Sequence, residues 1–210
     1  MPPRGHYLAH EVGLLAGVPG HTIGQWARRG YIRSSQSEER PRVYSFQDVA
    51  EAMVVHEALL RGVPHAGIKL AISVLRERYG DWPLTHADLS TYHGALVARE
   101  SGVAYDVGSH GWQQVIDPDN LSVIANQLNR GGWAVREIPD LVHIEVNPDR
   151  LSGRPAIRDR RIAARDVAEE AQTPEGVEDL KAGFDLTDAE IIDATRWWKV
   201  ASEYEHAIAA

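Results

Sequence analysis

Arginine is the residue type whose placement along this chain carries the most chemistry. Arg28 and Arg29 are adjacent, Arg40 and Arg42 follow shortly after, and Arg150, Arg154, Arg158, Arg160, Arg161 and Arg165 crowd into one stretch. A guanidinium is planar, permanently charged and shaped to grip phosphate or carboxylate oxygens in pairs. The first group is therefore read against phosphates, and the second is open to carboxylates or phosphates alike. Other chemistries find less support. There is no cysteine, which excludes disulfides, thiol nucleophiles and Cys-based metal sites. His6 and His10 sit at helical spacing, but no third ligand accompanies them, so no metal is assigned. No Gly-rich phosphate loop, nucleophile elbow or His-Glu-x-x-His occurs, and the chain is expected to be no enzyme and to hold no cofactor.

The charge is unevenly spread. The formal net charge is −8, yet residues 1–80 carry ten Lys/Arg against seven Asp/Glu. Residues 81–140 carry three against eight, and residues 141–210 nine against fifteen. Such asymmetry points to different partners at the two ends. The start lacks the apolar core of a signal peptide. No apolar run approaches the roughly 20 residues of a membrane span, so the cytoplasm is the expected location and no membrane partner is expected.

The elements that must position these arginines follow from periodicity and punctuation. Leu8, Val12 and Leu15 recur at helical spacing, and Gly17-Val18-Pro19-Gly20 breaks that helix. A second helix is expected from about His21 to Arg29, with Gly30 as its C′ residue. Tyr31-Ile32-Arg33 and Arg42-Val43-Tyr44 read as two strands of a hairpin. Ser45 with Asp48 opens a third helix as a capping box, running to about Leu60. Ile68, Ala71, Ile72, Leu75 and Tyr79 stripe a fourth, which Gly80-Asp81-Trp82-Pro83 ends. Residues 81–140 read as a small α/β connector. Its strands are expected near Ala95–Ala98, Val103–Tyr105 and Gln114–Ile116, and its helix opens at Asp117-Pro118-Asp119 and holds Leu121, Ile124, Ala125 and Leu128. In residues 141–210, Val142–Val146 and Arg161–Ala164 are expected strands. Three helices follow: one with Val167, Ala168 and Ala171, one opening at Thr173-Pro174 and ending before Gly183, and one opening at the capping box Thr187/Glu190.

Helix, tight glycine turn, helix is the helix-turn-helix arrangement. Polar residues at the start of its second helix, His21, Thr22 and Gln25, would face base edges in the major groove. Arg28, Arg29, Arg40 and Arg42 are placed to neutralise phosphates, with Tyr44 adding a phosphate hydrogen bond. Trp26 is expected beneath the wing as a core residue. The ordered landmarks Ala16-Gly17-Val18, Thr22-Ile23, Trp26 to Ile32, Arg40-x-Arg42-x-Tyr44-Ser45, Asp48-Val49 and Arg61-Gly62-Val63-Pro64 make residues 7–79 resemble the MerR family of transcription regulators. The resemblance implies a winged helix-turn-helix that binds operator DNA. The sequence departs from the family at Gly24-Gln25-Trp26, where Arg-Tyr-Tyr is frequent, and at Pro19, where Ser or Thr usually caps. The break at Gly80–Pro83 forbids the long dimerising helix that family members carry.

Near the other end, the string Asn147-Pro148-Asp149-Arg150-Leu151-Ser152-Gly153-Arg154-Pro155-Ala156-Ile157-Arg158 precedes Arg161-Ile162. Leu186-Thr187 and Ile191 follow. Residues 143–200 thereby resemble a small bacterial domain of antitoxin-like proteins encoded beside PIN-domain ribonuclease toxins, although Asp159-Arg160 stand where Gly-Thr is usual. The resemblance implies a toxin-binding role. Arg154, Arg158, Arg160, Arg161, Arg165 and Trp197 are the toxin-binding candidates, and of these Arg158, Arg160 and Arg161 would enter the carboxylates that hold a nuclease's divalent metal. Two alternatives stand beside that one: pairing with the acidic helices of the same region, and a second DNA contact. Trp197 is read as an exposed anchor for a partner or as a half-covered surface residue, and Trp198 as core.

The fold expected is α+β, mainly α with small β elements. A winged helix-turn-helix spans 1–80, an α/β connector 81–140, and a β-hairpin plus three-helix domain 141–210. The favoured function is a VapB-type antitoxin that neutralises a PIN-domain ribonuclease and represses its own operon as a homodimer reading two half-sites. One rival is a MerR-like regulator without a toxin, sensing a small molecule through the middle segment. The other is an interaction adaptor whose helix-turn-helix has lost DNA binding.

Overall fold

The computed structural model describes residues 5–108, 112–115, 121–123, 136–138, 141–147 and 150–209. Glu11 begins the organisation of the N-terminal region: its carboxylate accepts the Leu8 N–H at 2.8 Å and so holds the first turn of α1 (Ala9–Ala16). The turn into α2 (Gly20–Arg29) depends on two close approaches. A methyl on Gly13 would stand 2.5 Å from the Val18 carbonyl oxygen, and one on Gly20 would stand 2.7 Å from His10 Cα. Side chains at either place would force the two helices apart.

Gly30 closes α2 in the left-handed conformation at φ 79°, as its position predicts. The capping box at α3 (Phe46–Leu60) is formed: Ser45 Oγ accepts the Asp48 N–H, and the Asp48 carboxylate accepts the Ser45 N–H. Helix α4 (His65–Tyr79) ends at Gly80, and the short α5 (Pro83–His86) turns the chain back. The hairpin expected between α2 and α3 is not a regular one. Tyr31–Arg33 form no strand; Val43 bridges Ser37, and Tyr44 bridges Tyr7 from before α1. The wing's last residues are thus stitched to the chain start instead of to their neighbour in sequence.

A five-stranded antiparallel sheet follows, in the order β4-β3-β2-β1-β5. It comprises β1 (Asp88–Tyr92), β2 (Ala95–Glu100), β3 (Val103–Asp106), β4 (Gln113–Gln114) and β5 (Ser122–Val123). His93-Gly94 and Ser101-Gly102 connect its first three strands, each dipeptide with positive φ at both residues. That conformation matches the twist of the strands it joins. Ser122 and Val123, expected within a helix, instead pair with β1, because an open strand edge claims their backbone groups. The remainder of that expected helix lies outside the described residues. Leu84, Leu89, Leu96, Ala98 and Val107 share one buried cluster with Val55, Ile68 and Leu75 of α3 and α4.

The C-terminal region has a three-stranded sheet ordered β6-β7-β8, from Arg136–Ile138, Leu141–Val146 and Ala156–Ile157. The strand expected at Arg161–Ala164 reduces to one bridge, Ala163 to Ala156, because α6 (Ala164–Glu170) starts there. Helix α7 (Pro174–Phe184) has Thr173 as N-cap and passes the expected stop at Gly183. The long α8 (Asp188–Ala209) begins after the predicted capping box, with Thr187 and Glu190 bonded reciprocally. It packs on α6, on β7 and on α1 of the N-terminal region.

Candidate nucleic-acid interface and the C-terminal arginine cluster

Helix α2 is sharply two-sided. Ile23 and Trp26 are buried, which places Trp26 in the core as expected. His21, Gln25, Arg28 and Arg29 are exposed and Thr22 is half-buried. Residues four and seven apart share a helix face, so His21, Gln25 and Arg28 form one outward row with Arg29 beside it. Gly24 belongs to that surface too: the Arg28 guanidinium lies 3.5 Å from where a Gly24 side chain would begin. Both arginines sit in the last turn, where a helix end favours positive charge. Among the described residues neither they nor Arg40 has an acidic partner.

Two of the expected phosphate contacts change character. Arg42 is half-buried and donates to Ser34 Oγ at 2.9 Å, bracing the wing. Tyr44 is 0% exposed and cannot reach a phosphate. It exchanges backbone hydrogen bonds with Tyr7 and belongs to the core because the wing folds over it.

The wing's base is fixed by a group that the sequence shows only as a helix cap. One oxygen of the buried Asp48 accepts the Ser35 N–H at 2.8 Å, the Ser35 hydroxyl at 2.6 Å and the Ser45 N–H at 2.8 Å. The other accepts the Trp82 indole N–H at 2.8 Å. Arg33 also pairs with Asp81. The wing is therefore tied to the corner after α4, and its cations are held at a set distance from α2. Nearby, Glu51 accepts the N–H groups of Leu84 and Thr85. Burial pushes its pKa up to about 8. These long-range ties leave no local signal.

The C-terminal arginines divide by what they hold. Arg160 donates to the carbonyl oxygens of Phe184 at 2.8 Å and Asp185 at 2.9 Å, and its Nε lies 3.2 Å from Glu190. It satisfies the orphan carbonyls at the end of α7, so the side chain is engaged within its own region, which is the alternative set beside insertion into a partner. Arg165 bonds Glu169 at 2.7 Å and lies over the Trp198 ring at 4.7 Å. Arg150 pairs with buried Glu145. Arg158 is half-buried, and its N–H donates to the His143 carbonyl at 2.7 Å. Arg154 and Arg161 are exposed and, among the described residues, without an acidic partner. Trp197, read as an exposed anchor or a half-covered surface residue, is 1% exposed, whereas Trp198 is half-buried. Coverage of α8 by both β7 and α6 reverses the expected roles of the pair. His143 fixes one side of that packing, its N–H and Nδ1 meeting the Asp193 carboxylate at 3.0 and 2.8 Å.

A helix-turn-helix with an irregular wing and an outward cationic second helix defines the DNA-binding regulator class of domain. Residues 7–74 match the family described as MerR HTH family regulatory protein, and residues 144–197 match the family described as protein of unknown function, DUF433. The chain thus has a MerR-like regulator domain at its N-terminus and a DUF433 domain at its C-terminus. It is similar to "Uncharacterized protein Rv2308" of Mycobacterium tuberculosis, 29% identical over 220 residues that cover 95% of this chain and 92% of that protein. Its fold also resembles the crystal structure of Rv2018 from Mycobacterium tuberculosis. That likeness has a TM-score of 0.50 at 16% identity and covers 90% of this chain and 96% of the other. Among the described residues, no helix is long and apolar enough to cross a membrane.

Proposed function

We propose that this protein is a sequence-specific DNA-binding repressor of its own operon, acting without catalysis of its own in the cytoplasm. The observation that carries the reading is the outward row on α2, in which His21, Gln25, Arg28 and Arg29 face solvent. On a chain of net charge −8, cations on a recognition helix with no acidic partner among the described residues are the feature that phosphate binding needs. His21, Thr22 and Gln25 read base edges, while Arg28, Arg29 and Arg40 set the register on phosphates. A homodimer supplies two half-sites. Hydroxyl-radical footprinting on the protein's own upstream DNA tests this: two protected patches about one helical turn apart are expected. Uniform weak protection along the fragment would sink it.

The finer proposal is that the C-terminal region neutralises a PIN-domain ribonuclease, making the protein a VapB-type antitoxin. Arg154 and Arg161 are exposed and, among the described residues, without an acidic partner, so they are the side chains that would enter a carboxylate-lined site. The test is co-expression with the adjacent gene product, followed by pull-down and an RNA-cleavage assay. Cleavage suppressed by the native chain and restored by the Arg154→Ala/Arg161→Ala variant is the expected result. Undiminished cleavage beside the native chain would end the proposal.

A further inference from the structure

We infer that the cavity between α1 and the C-terminal region binds a small zwitterion with an apolar or aromatic body, of the amino-acid class. The cavity has a volume of about 490 Å³, within the range of small-molecule sites. Trp197, Trp198, Leu8, Val43 and Pro155 supply its apolar wall. Its charged lining is mostly occupied already. Arg165 is bonded to Glu169 and covers Trp198, and Glu11 accepts the Leu8 N–H. His10 is neutral near pH 7, because burial pushes its pKa down to about 4.

Two lining charges remain: Arg154 and Asp166 each lack a side-chain partner among the described residues. A guanidinium grips a carboxylate in two parallel hydrogen bonds, and a carboxylate accepts from an ammonium. One unpaired charge of each sign, beside an indole wall, fits a ligand that carries both charges on a hydrophobic body. A singly charged ligand would leave one of the two unmatched.

The cavity also reaches the elements that face DNA. His10 lines it, and His10 Cα lies 2.7 Å from where a Gly20 side chain would start, at the first residue of α2. Val43 lines it from the wing, where it bridges Ser37. A bound ligand therefore presses on the recognition helix and on the wing together. This coupling rests on the DNA-binding reading above; the binding itself does not.

The experiment is calorimetry of the full chain with L-phenylalanine, 3-phenylpropanoate and 2-phenylethylamine as probes. The amino acid is expected to saturate one site at least about tenfold more tightly than either analogue, the cost of one unmatched charge. Arg154→Ala should bring phenylalanine down to the level of phenylethylamine, and Asp166→Asn down to that of phenylpropanoate. Both positions are exposed, and unchanged melting confirms that each variant folds. Absence of saturable phenylalanine binding, equal affinity for all three probes, or phenylalanine affinity unmoved in both variants overturns the inference. Operator affinity with and without phenylalanine is measured separately and is expected to shift at least threefold. An unmoved operator affinity overturns the coupling alone. A chain that binds phenylalanine but no DNA would refute the proposed function and leave this site standing.

Discussion

Two regions of this molecule are rich in arginine, and they use it in opposite ways. On α2 and the wing, Arg28, Arg29 and Arg40 project to solvent with no acidic partner among the described residues. Between residues 150 and 165, Arg150, Arg160 and Arg165 are engaged with Glu145, with the end of α7 and Glu190, and with Glu169. Density of cationic residues is therefore a poor guide to a binding surface. What separates the two regions is whether orphan carbonyls and carboxylates of the same fold stand within reach. The C-terminal region supplies both, and most of its arginines serve packing, with Arg154 and Arg161 left over.

Substitutions can sharpen or break that contrast. The largest effect is expected at Trp197, which is core and not an anchor. Trp197→Ala should lower stability by about 3–5 kcal/mol in chemical denaturation. A loss no greater than that of Trp198→Ala would mean that the face is open after all. Next comes Arg160→Ala, which strips the end of α7 of its donors. A loss of about 1–3 kcal/mol is expected, with operator affinity unchanged once the variant is folded. Reduced DNA affinity at unchanged stability would move Arg160 into the binding group.

Arg28→Ala/Arg29→Ala should do the reverse. Stability should stay within about 0.5 kcal/mol, while the salt slope of DNA binding falls by about 2. The smallest effect is a pH dependence. Glu51 has its folded pKa raised to about 8, so the folded state holds a proton that the unfolded chain releases. Its contribution falls as pH rises from the ordinary carboxylate range through about 8. His10, lowered to about 4, works oppositely, losing stability as pH falls below its usual value. Between pH 6.5 and 8 the Glu51 slope is isolated from it. Melting temperature should drop there in the native chain, and Glu51→Gln should flatten the decline. An equal slope in both proteins would contradict this origin.

The parts of the fold legible in the sequence are those fixed by residues a few positions apart. Ser45 with Asp48 and Thr187 with Glu190 mark helix starts because each box closes within one turn. Gly30 marks a helix end because its left-handed φ suits glycine. Ser101-Gly102 and His93-Gly94 were equally local signals for hairpin turns, and they disclose β1, which alternation alone leaves unread. What stayed hidden is tertiary. Nothing near Asp48 announces Ser35 or Trp82, and nothing near Tyr44 announces Tyr7. Which of Trp197 and Trp198 is core is decided only where β7 and α6 both cover α8, so the reading of Trp198 as the core residue fails. For the candidate interface, the α2 row was readable because a single helix face decides it. The wing's Tyr44 was not, because its orientation depends on the chain start.

The central claim is that the exposed cations of α2, and not those of the C-terminal cluster, bind DNA. The direct measurement is fluorescence anisotropy of the full chain on its own upstream duplex between about 50 and about 200 mM salt, repeated for Arg28→Ala/Arg29→Ala and for Arg154→Ala/Arg161→Ala. The prediction is steep salt dependence in the native chain, a slope reduced by about 2 in the first variant, and an unchanged slope in the second. A native slope near zero, or a loss confined to the second variant, would contradict the account.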